Sequence, residues 1–210
     1  MAKSLAYWAF ETLNSKLNPN SASIALKDYN SSLGVSSSDY PSKAPLFITW
    51  NKNGNLRGCI GTFLSSPTES GVANYALVSA FEDPRFPAIS SSELPLLSVS
   101  VTLLDNFEPI DDPNDWEIGV HGLKVKFSAN GRHYLGTFLP VVAEEQEWDK
   151  KETLWNLLRK AGYSGVSRAG TLDFYNKGIT EGWMDLTRYE GLKCGLDYKE
   201  YVAARKELEG

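Results

Sequence analysis

The Asn-Gly pair at positions 130–131, set between the alternating runs Leu123–Ser128 and Arg132–Phe138, constrains this chain most. Two residues that accept left-handed backbone close a tight hairpin, and a tight hairpin can join only antiparallel strands. A second turn, Asn51 to Asn55, separates the apolar run Leu46–Trp50 from Leu56–Phe63 and makes the same demand. Parallel strands need a crossover of a dozen residues or more, so neither hairpin fits a doubly wound sheet. The expected class is therefore α+β.

Helical signals surround these hairpins. Leu5, Trp8, Ala9, Leu13 and Leu17 recur at helical spacing over residues 4–17, and Asn18-Pro19-Asn20 stops the pattern. Ser66-Pro67-Thr68-Glu69 predicts an N-cap serine with proline at the first helical position, opening a helix that runs to about Phe81. Asp83-Pro84-Arg85-Phe86-Pro87 ends it. Asp149-Lys150-Lys151-Glu152 predicts another capping box, with Gly162 at the left-handed C-terminal position. Residues 30–42 read as a loop, 97–104, 171–175 and 183–189 as strands, and 198–208 as a terminal helix.

The bulk numbers remove several classes of function. A net charge of −5, with scattered lysines and arginines, disfavours binding to a phosphate backbone. No apolar run approaches a membrane span, so no membrane partner is expected. Two isolated cysteines and two isolated histidines supply neither a zinc framework nor a disulfide scaffold. The expectation is no metal, no cofactor, and a cytoplasmic or nuclear address in a reducing compartment. There is no G-x-S-x-G, phosphate loop or dinucleotide fingerprint.

The chemistry-bearing run is Leu56-Arg57-Gly58-Cys59-Ile60-Gly61. In a regular strand Arg57 and Cys59 share a face, and Gly61 on that face leaves open space beside the thiol. A nearby cation favours the thiolate, so Cys59 is the candidate nucleophile with Arg57 beside it; a bulge at Gly58 would break that parity. The plainer reading of Cys59 is a small buried hydrophobe. Gly58 and Gly61 mark a close approach, either of a ligand or of the chain itself. His121, between Gly119 and Gly122, is a candidate general base or a turn histidine; His133 reads as surface. Arg85, stiffened by prolines, suits capture of an anion or an ion pair with Asp83 or Glu82. Glu145, with Glu144, offers a carboxylate to orient His121 or an acidic helical turn.

The same six-residue run matches the signature of the AMMECR-type domain family, and other segments resemble that family in the same order. They are Glu82–Pro87, Glu93-Leu94-Pro95, Gly119–Gly122, and Leu139–Gln146 with Trp148. Ala88, where a second proline is common, and Leu192–Asp197 depart from the pattern. The resemblance implies one domain over 1–210 built of two interleaved, unequal α+β lobes, with the signature near a cleft between them. It implies no settled activity. Two functions follow as expectations. One is a thiol-dependent enzyme acting on a small anionic or macromolecule-borne group, with Cys59, His121 and Glu145 catalytic and Arg57, Gly58, Gly61 and Arg85 holding the ligand. The other is a non-catalytic ligand-binding or adaptor module using the same surface, its partner a small molecule or a protein.

Overall fold

The computed structural model describes residues 2–209. The chain forms two compact units, Met1–Leu103 with Leu192–Gly210, and Leu104–Gly191. The backbone passes from the first to the second within one strand and returns within another. Among the described residues no helix is long and apolar enough to cross a membrane.

In the first unit come α1 (Ser4–Leu17), α2 (Leu26–Ser32), β1 (Lys43–Lys52), β2 (Asn55–Pro67), α3 (Thr68–Phe81) and a 3-10 turn (Ser91–Leu96). They are followed by the start of β3 (Leu97–Pro109), the end of β6 (Met184–Asp197) and α7 (Tyr198–Glu209). The strand order here is β2-β1-β3-β6, with β2 at the edge. Both ladder neighbours of β1, β2 and β3, run antiparallel to it. Alternation decides what is buried. Leu46, Ile48 and Trp50 of β1 lie in register with Leu103, Val101 and Val99 of β3, and all six are buried. Their face packs against Phe10 and Leu13 of α1 and Val72 and Ala76 of α3. The Trp50 indole donates to the Ala76 carbonyl at 2.9 Å, so this largest core side chain leaves no donor unpaired.

The second unit contains the rest of β3, then β4 (His121–Ala129), β5 (Arg132–Phe138), α4 (Val141–Glu145), α5 (Lys150–Lys160), α6 (Thr171–Thr180) and the start of β6. Its order is β3-β6-β4-β5, and β4 is antiparallel to both neighbours. Leu123, Val125 and Phe127 of β4 are buried with Leu154, Leu157 and Leu158 of α5. Asn130 (φ 51°) and Gly131 (φ 71°) are both left-handed, as the hairpin reading requires. The architecture is α+β with antiparallel pairing, as expected.

Several local expectations fail for identifiable reasons. Residues 171–175 are helical, not a strand: Thr171, Tyr175 and Gly178 form the buried stripe of α6, and the Tyr175 hydroxyl donates to the Leu154 carbonyl at 3.0 Å. The 30–42 loop begins inside α2. Ser66 does not cap α3, because it is still paired with Ala44 in the ladder and Pro67 takes the N-cap position. Strands β3 and β6 run further than 97–104 and 183–189. Asp149 does cap α5, accepting the Glu152 N–H at 2.6 Å, and Gly162 is left-handed (φ 92°).

The first unit is locked by a buried ionic hub that the linear pattern does not announce. Glu11 of α1 is fully buried and faces Arg205 of α7. Its carboxylate also accepts from the hydroxyls of Tyr29 and Tyr201, each at 2.8 Å, and from the Ile24 N–H at 3.2 Å. Arg205 in turn donates to Ser21 Oγ at 2.9 Å and to the Ala22 carbonyl. Burial opposes the Arg205 charge, but the Glu11 carboxylate outweighs it and holds Arg205 above its ordinary value. Burial, reinforced by Glu11, pushes Tyr29 and Tyr201 far up as well. Removing one member of a buried pair strands the other charge and costs about 3–5 kcal/mol. Arg205→Met is expected to destabilise by about 3 kcal/mol, and the Glu11→Gln/Arg205→Met double variant by less than the sum of the singles. Urea unfolding of the four proteins checks this.

Candidate functional site

The signature run lies on β2, and its geometry departs from a regular strand. Gly58 is opposite Trp50 and Leu56 is opposite Asn51, so Arg57 is one extra residue in the ladder. This is a bulge, and it breaks the alternation that would set Arg57 beside Cys59. The Arg57 guanidinium turns to Glu93, with Nε to Oε1 at 3.0 Å and Nη2 to Oε2 at 3.2 Å. Its Nη1 donates to the Pro87 carbonyl at 2.7 Å. Lys52, which by strand parity shares the face of the core residues Ile48 and Trp50, reaches the same Glu93 at 2.9 Å. Cys59 instead pairs with Thr49, and Sγ and the Thr49 hydroxyl share a hydrogen bond at 3.1 Å. Thr49 is on the opposite face of β1 from Trp50. The guanidinium and the thiol thus leave the strand toward different faces.

Both glycines answer to the chain's own packing. A Cβ on Gly58 would sit 2.1 Å from the Ser79 carbonyl oxygen of α3. One on Gly61 would sit 2.2 Å from the Leu46 carbonyl oxygen and 2.4 Å from the Phe47 ring. The space expected beside the thiol at Gly61 is filled by Phe47. Close approach is the reason for these glycines, as the second reading held, and it is intramolecular.

Asp83, which the sequence reading did not place in the site, organises the region. It follows the end of α3 and is buried (3% exposed). Its carboxylate accepts the Cys59 N–H at 2.8 Å and the Arg85 N–H at 3.1 Å. It also takes Arg85 Nε at 2.9 Å and Nη2 at 2.6 Å. Arg85 and these N–H groups hold Asp83 well below the usual carboxylate range against the opposing effect of burial. Arg85 Nη2 further donates to the Cys59 carbonyl at 3.3 Å. An Asp two residues before an Arg, with proline between, is an Asx-turn pattern, and that was the available signal. The Arg85 side chain stays 53% exposed, so one charged edge still faces solvent.

The remaining candidates, His121 and Glu145, belong to the second unit. His121 is tied into its own turn: Nδ1 accepts the Glu117 N–H at 3.0 Å, and its N–H donates to the Glu117 carbonyl at 2.9 Å. With Nδ1 held by the backbone of its own turn, His121 has only Nε2 left to meet another group. Gly119 is left-handed (φ 81°), and a Cβ on it would lie 3.2 Å from a Glu144 carboxylate oxygen. The carboxylate beside this turn is therefore Glu144, while Glu145 is exposed at the end of α4. Gly122 admits the Tyr189 ring, whose atoms would lie 2.4 Å from a Cβ there. His133 meets Ser128 Oγ at 2.8 Å on the exposed β4–β5 hairpin, as read. The other cysteine, Cys194, packs on the core, and burial pushes its thiol up to about 11. Among the described residues no three His, Cys, Asp or Glu side chains converge as a metal ion requires.

Arg57 holds Glu93 down to about 2, with help from the Ser90 N–H and Lys52 and against burial. A depressed carboxylate stabilises the fold above its unfolded value of 4.5 and loses that contribution as pH falls toward 2. At pH 7, Glu93→Gln is expected to be less stable than the parent by on the order of 2 kcal/mol. The gap should narrow below about pH 4.5 and close near pH 2, as urea unfolding across that range would report.

Comparison with known proteins places the chain in a family. The AMMECR1 family profile matches residues 6–180, which leaves β6 and α7 outside the match. An uncharacterised protein of Saccharomyces cerevisiae is 38% identical over 97% of this chain and 89% of its own. An uncharacterised protein of Schizosaccharomyces pombe is 44% identical over 75% of this chain and 78% of its own. The crystal structure of an uncharacterised protein from Pyrococcus horikoshii superposes with a TM-score of 0.61 over 92% of this chain and 90% of that one, at 24% identity, which speaks to the fold alone. By the extent of the profile match and the identity to its yeast relatives, this chain belongs to the AMMECR1 family.

Proposed function

We propose that this chain is a non-catalytic binding module, and that the signature run on β2 is its braced recognition edge rather than a thiol active site. The observation that carries this reading is the placement of charge around Cys59. Arg57, the expected activating cation, is committed to Glu93 on the other face. Two charged groups bind the Cys59 backbone directly: the buried Asp83 carboxylate, 2.8 Å from its N–H, and Arg85, 3.3 Å from its carbonyl. Arg85 brings a compensating positive charge, but that charge is paired with Asp83 at 2.6 Å. A nucleophilic cysteine needs a net positive surrounding or an adjacent base, and the first unit contains no histidine.

What the site does offer is a fixed guanidinium. Two hydrogen bonds to a buried carboxylate orient Arg85, and half of its side chain is open to solvent. Nε and Nη2 are taken by Asp83 and the Cys59 carbonyl, which leaves the two Nη1 donors of a pre-oriented guanidinium to meet a carboxylate or phosphate oxygen with little loss of side-chain freedom. The binding reading makes a protein or small anionic ligand the partner and a reducing cytoplasmic or nuclear compartment the setting.

Cys59 in the folded protein is expected to react with iodoacetamide at pH 7 no faster than in the urea-unfolded chain. Peptide mass spectrometry separates it from Cys194. A folded-state rate about tenfold or more above the unfolded rate would restore the enzyme reading.

A further inference from the structure

We infer that the edge of β2 from Gly61 to Leu64, beside Arg85, docks an extended polypeptide segment bearing a carboxylate and, a few residues away, an apolar side chain. This rests on the binding-module reading and names the partner's class. Strand β2 is terminal in its sheet, so among the described residues no strand lies beyond it. Cys59 directs its N–H and C=O away from β1, since both are taken by side chains: Asp83 accepts from the one and Arg85 donates to the other. Together these two side chains stand where the carbonyl and amide of a next strand would stand. Backbone alternation gives Gly61, two residues on, the same outward orientation. The outward groups of Gly61 lie about 6.8 Å along the strand from those of Cys59.

Beyond Gly61 the register slips. Leu46 is opposite Thr62 and Ala44 is opposite Ser66, so the segment between bulges outward. It presents Phe63 at 47% exposure and Leu64 at 80%, the most exposed large apolar side chain among the described residues. Phe63 is steadied edge-on by Phe47, with ring centroids 5.1 Å apart. Along one short edge the chain thus displays an oriented cation, a free backbone donor and acceptor, and two apolar side chains.

Charge and area choose the occupant. Arg85 complements a carboxylate, and the outward amide and carbonyl complement an extended backbone, the pattern of strand addition. The exposed parts of Phe63 and Leu64 amount to on the order of 200 Å², far below the roughly 800 Å² per partner of a stable interface. A second copy of this chain would need much more contact than this edge supplies. A short peptide strand does not.

The test uses the full chain and a panel of acetylated, amidated hexapeptides. Each has one Asp or Glu and one Leu or Phe two to four positions apart, and a matched set replaces the acid with Lys. At saturation with the acidic members, hydrogen exchange at the Gly61 amide is expected to slow about tenfold. The Lys set should bind about tenfold more weakly, and Leu64→Ser about fivefold more weakly, than their counterparts. Leu64 is solvent-exposed, so that variant leaves the fold intact, and the peptide charge swap tests Arg85 without altering the protein. Failure of every peptide to slow Gly61 exchange overturns the inference. So does equal binding of the acidic and Lys sets, or protection of Gly61 that grows with protein concentration alone. Rapid alkylation of Cys59 would overturn the binding-module reading itself, whatever the peptides do.

Discussion

A single buried carboxylate fixes the region on which the rest depends. Asp83 emerges where α3 ends and takes the Cys59 N–H of β2 and the Arg85 side chain at once. This contact lets the helix and the edge strand approach until the Ser79 carbonyl occupies the position of a side chain at Gly58. The bulge at Arg57 then lets that arginine reach Glu93, which Lys52 also binds. Arg57, Gly58 and Gly61 so acquire a structural reason, the glycines through contact distance and the arginine through its fork of donors.

Ionic bracing in the first unit is arranged at two depths. The Glu11–Arg205 hub is sealed in the core and shares its charges with two tyrosine hydroxyls and backbone groups, which is the condition for a buried pair to be tolerated. The Glu93 and Asp83 pairs lie nearer the surface. They shape the edge of β2 and leave Arg85 half open, so the same contacts that hold the strand also aim the accessible cation.

What could be read from the linear chain follows the range of the forces involved. The Asn130-Gly131 hairpin, the cap at Asp149 and the left-handed Gly162 depend on neighbours a few residues away, and each is where the residues indicated. The segment 171–175 misled because its aromatic content suits a strand, while its burial is set by contact with Leu154, far off in the chain. Ser66 looked like a cap because the ladder partner that claims it, Ala44, is remote. In the site, Arg85 with Asp83 was a local pattern and legible as an ion pair. The Phe47 ring over Gly61 arises between β1 and β2 and left no mark in spacing, whereas Gly58 pointed to a bulge, which the ladder places at Arg57. His121 was legible as a turn histidine from its flanking glycines, and Glu144, not Glu145, proved to be the carboxylate beside that turn.

The central claim is that this run is built for contact between strand and helix, not for reaction at sulfur. Equilibrium urea unfolding of Gly58→Ala beside Cys59→Ala tests it most directly. The Ser79 carbonyl 2.1 Å from the added methyl predicts a loss of about 2–3 kcal/mol for Gly58→Ala. Removing the half-buried sulfur should cost about 1 kcal/mol or less. A neutral Gly58→Ala would contradict the account.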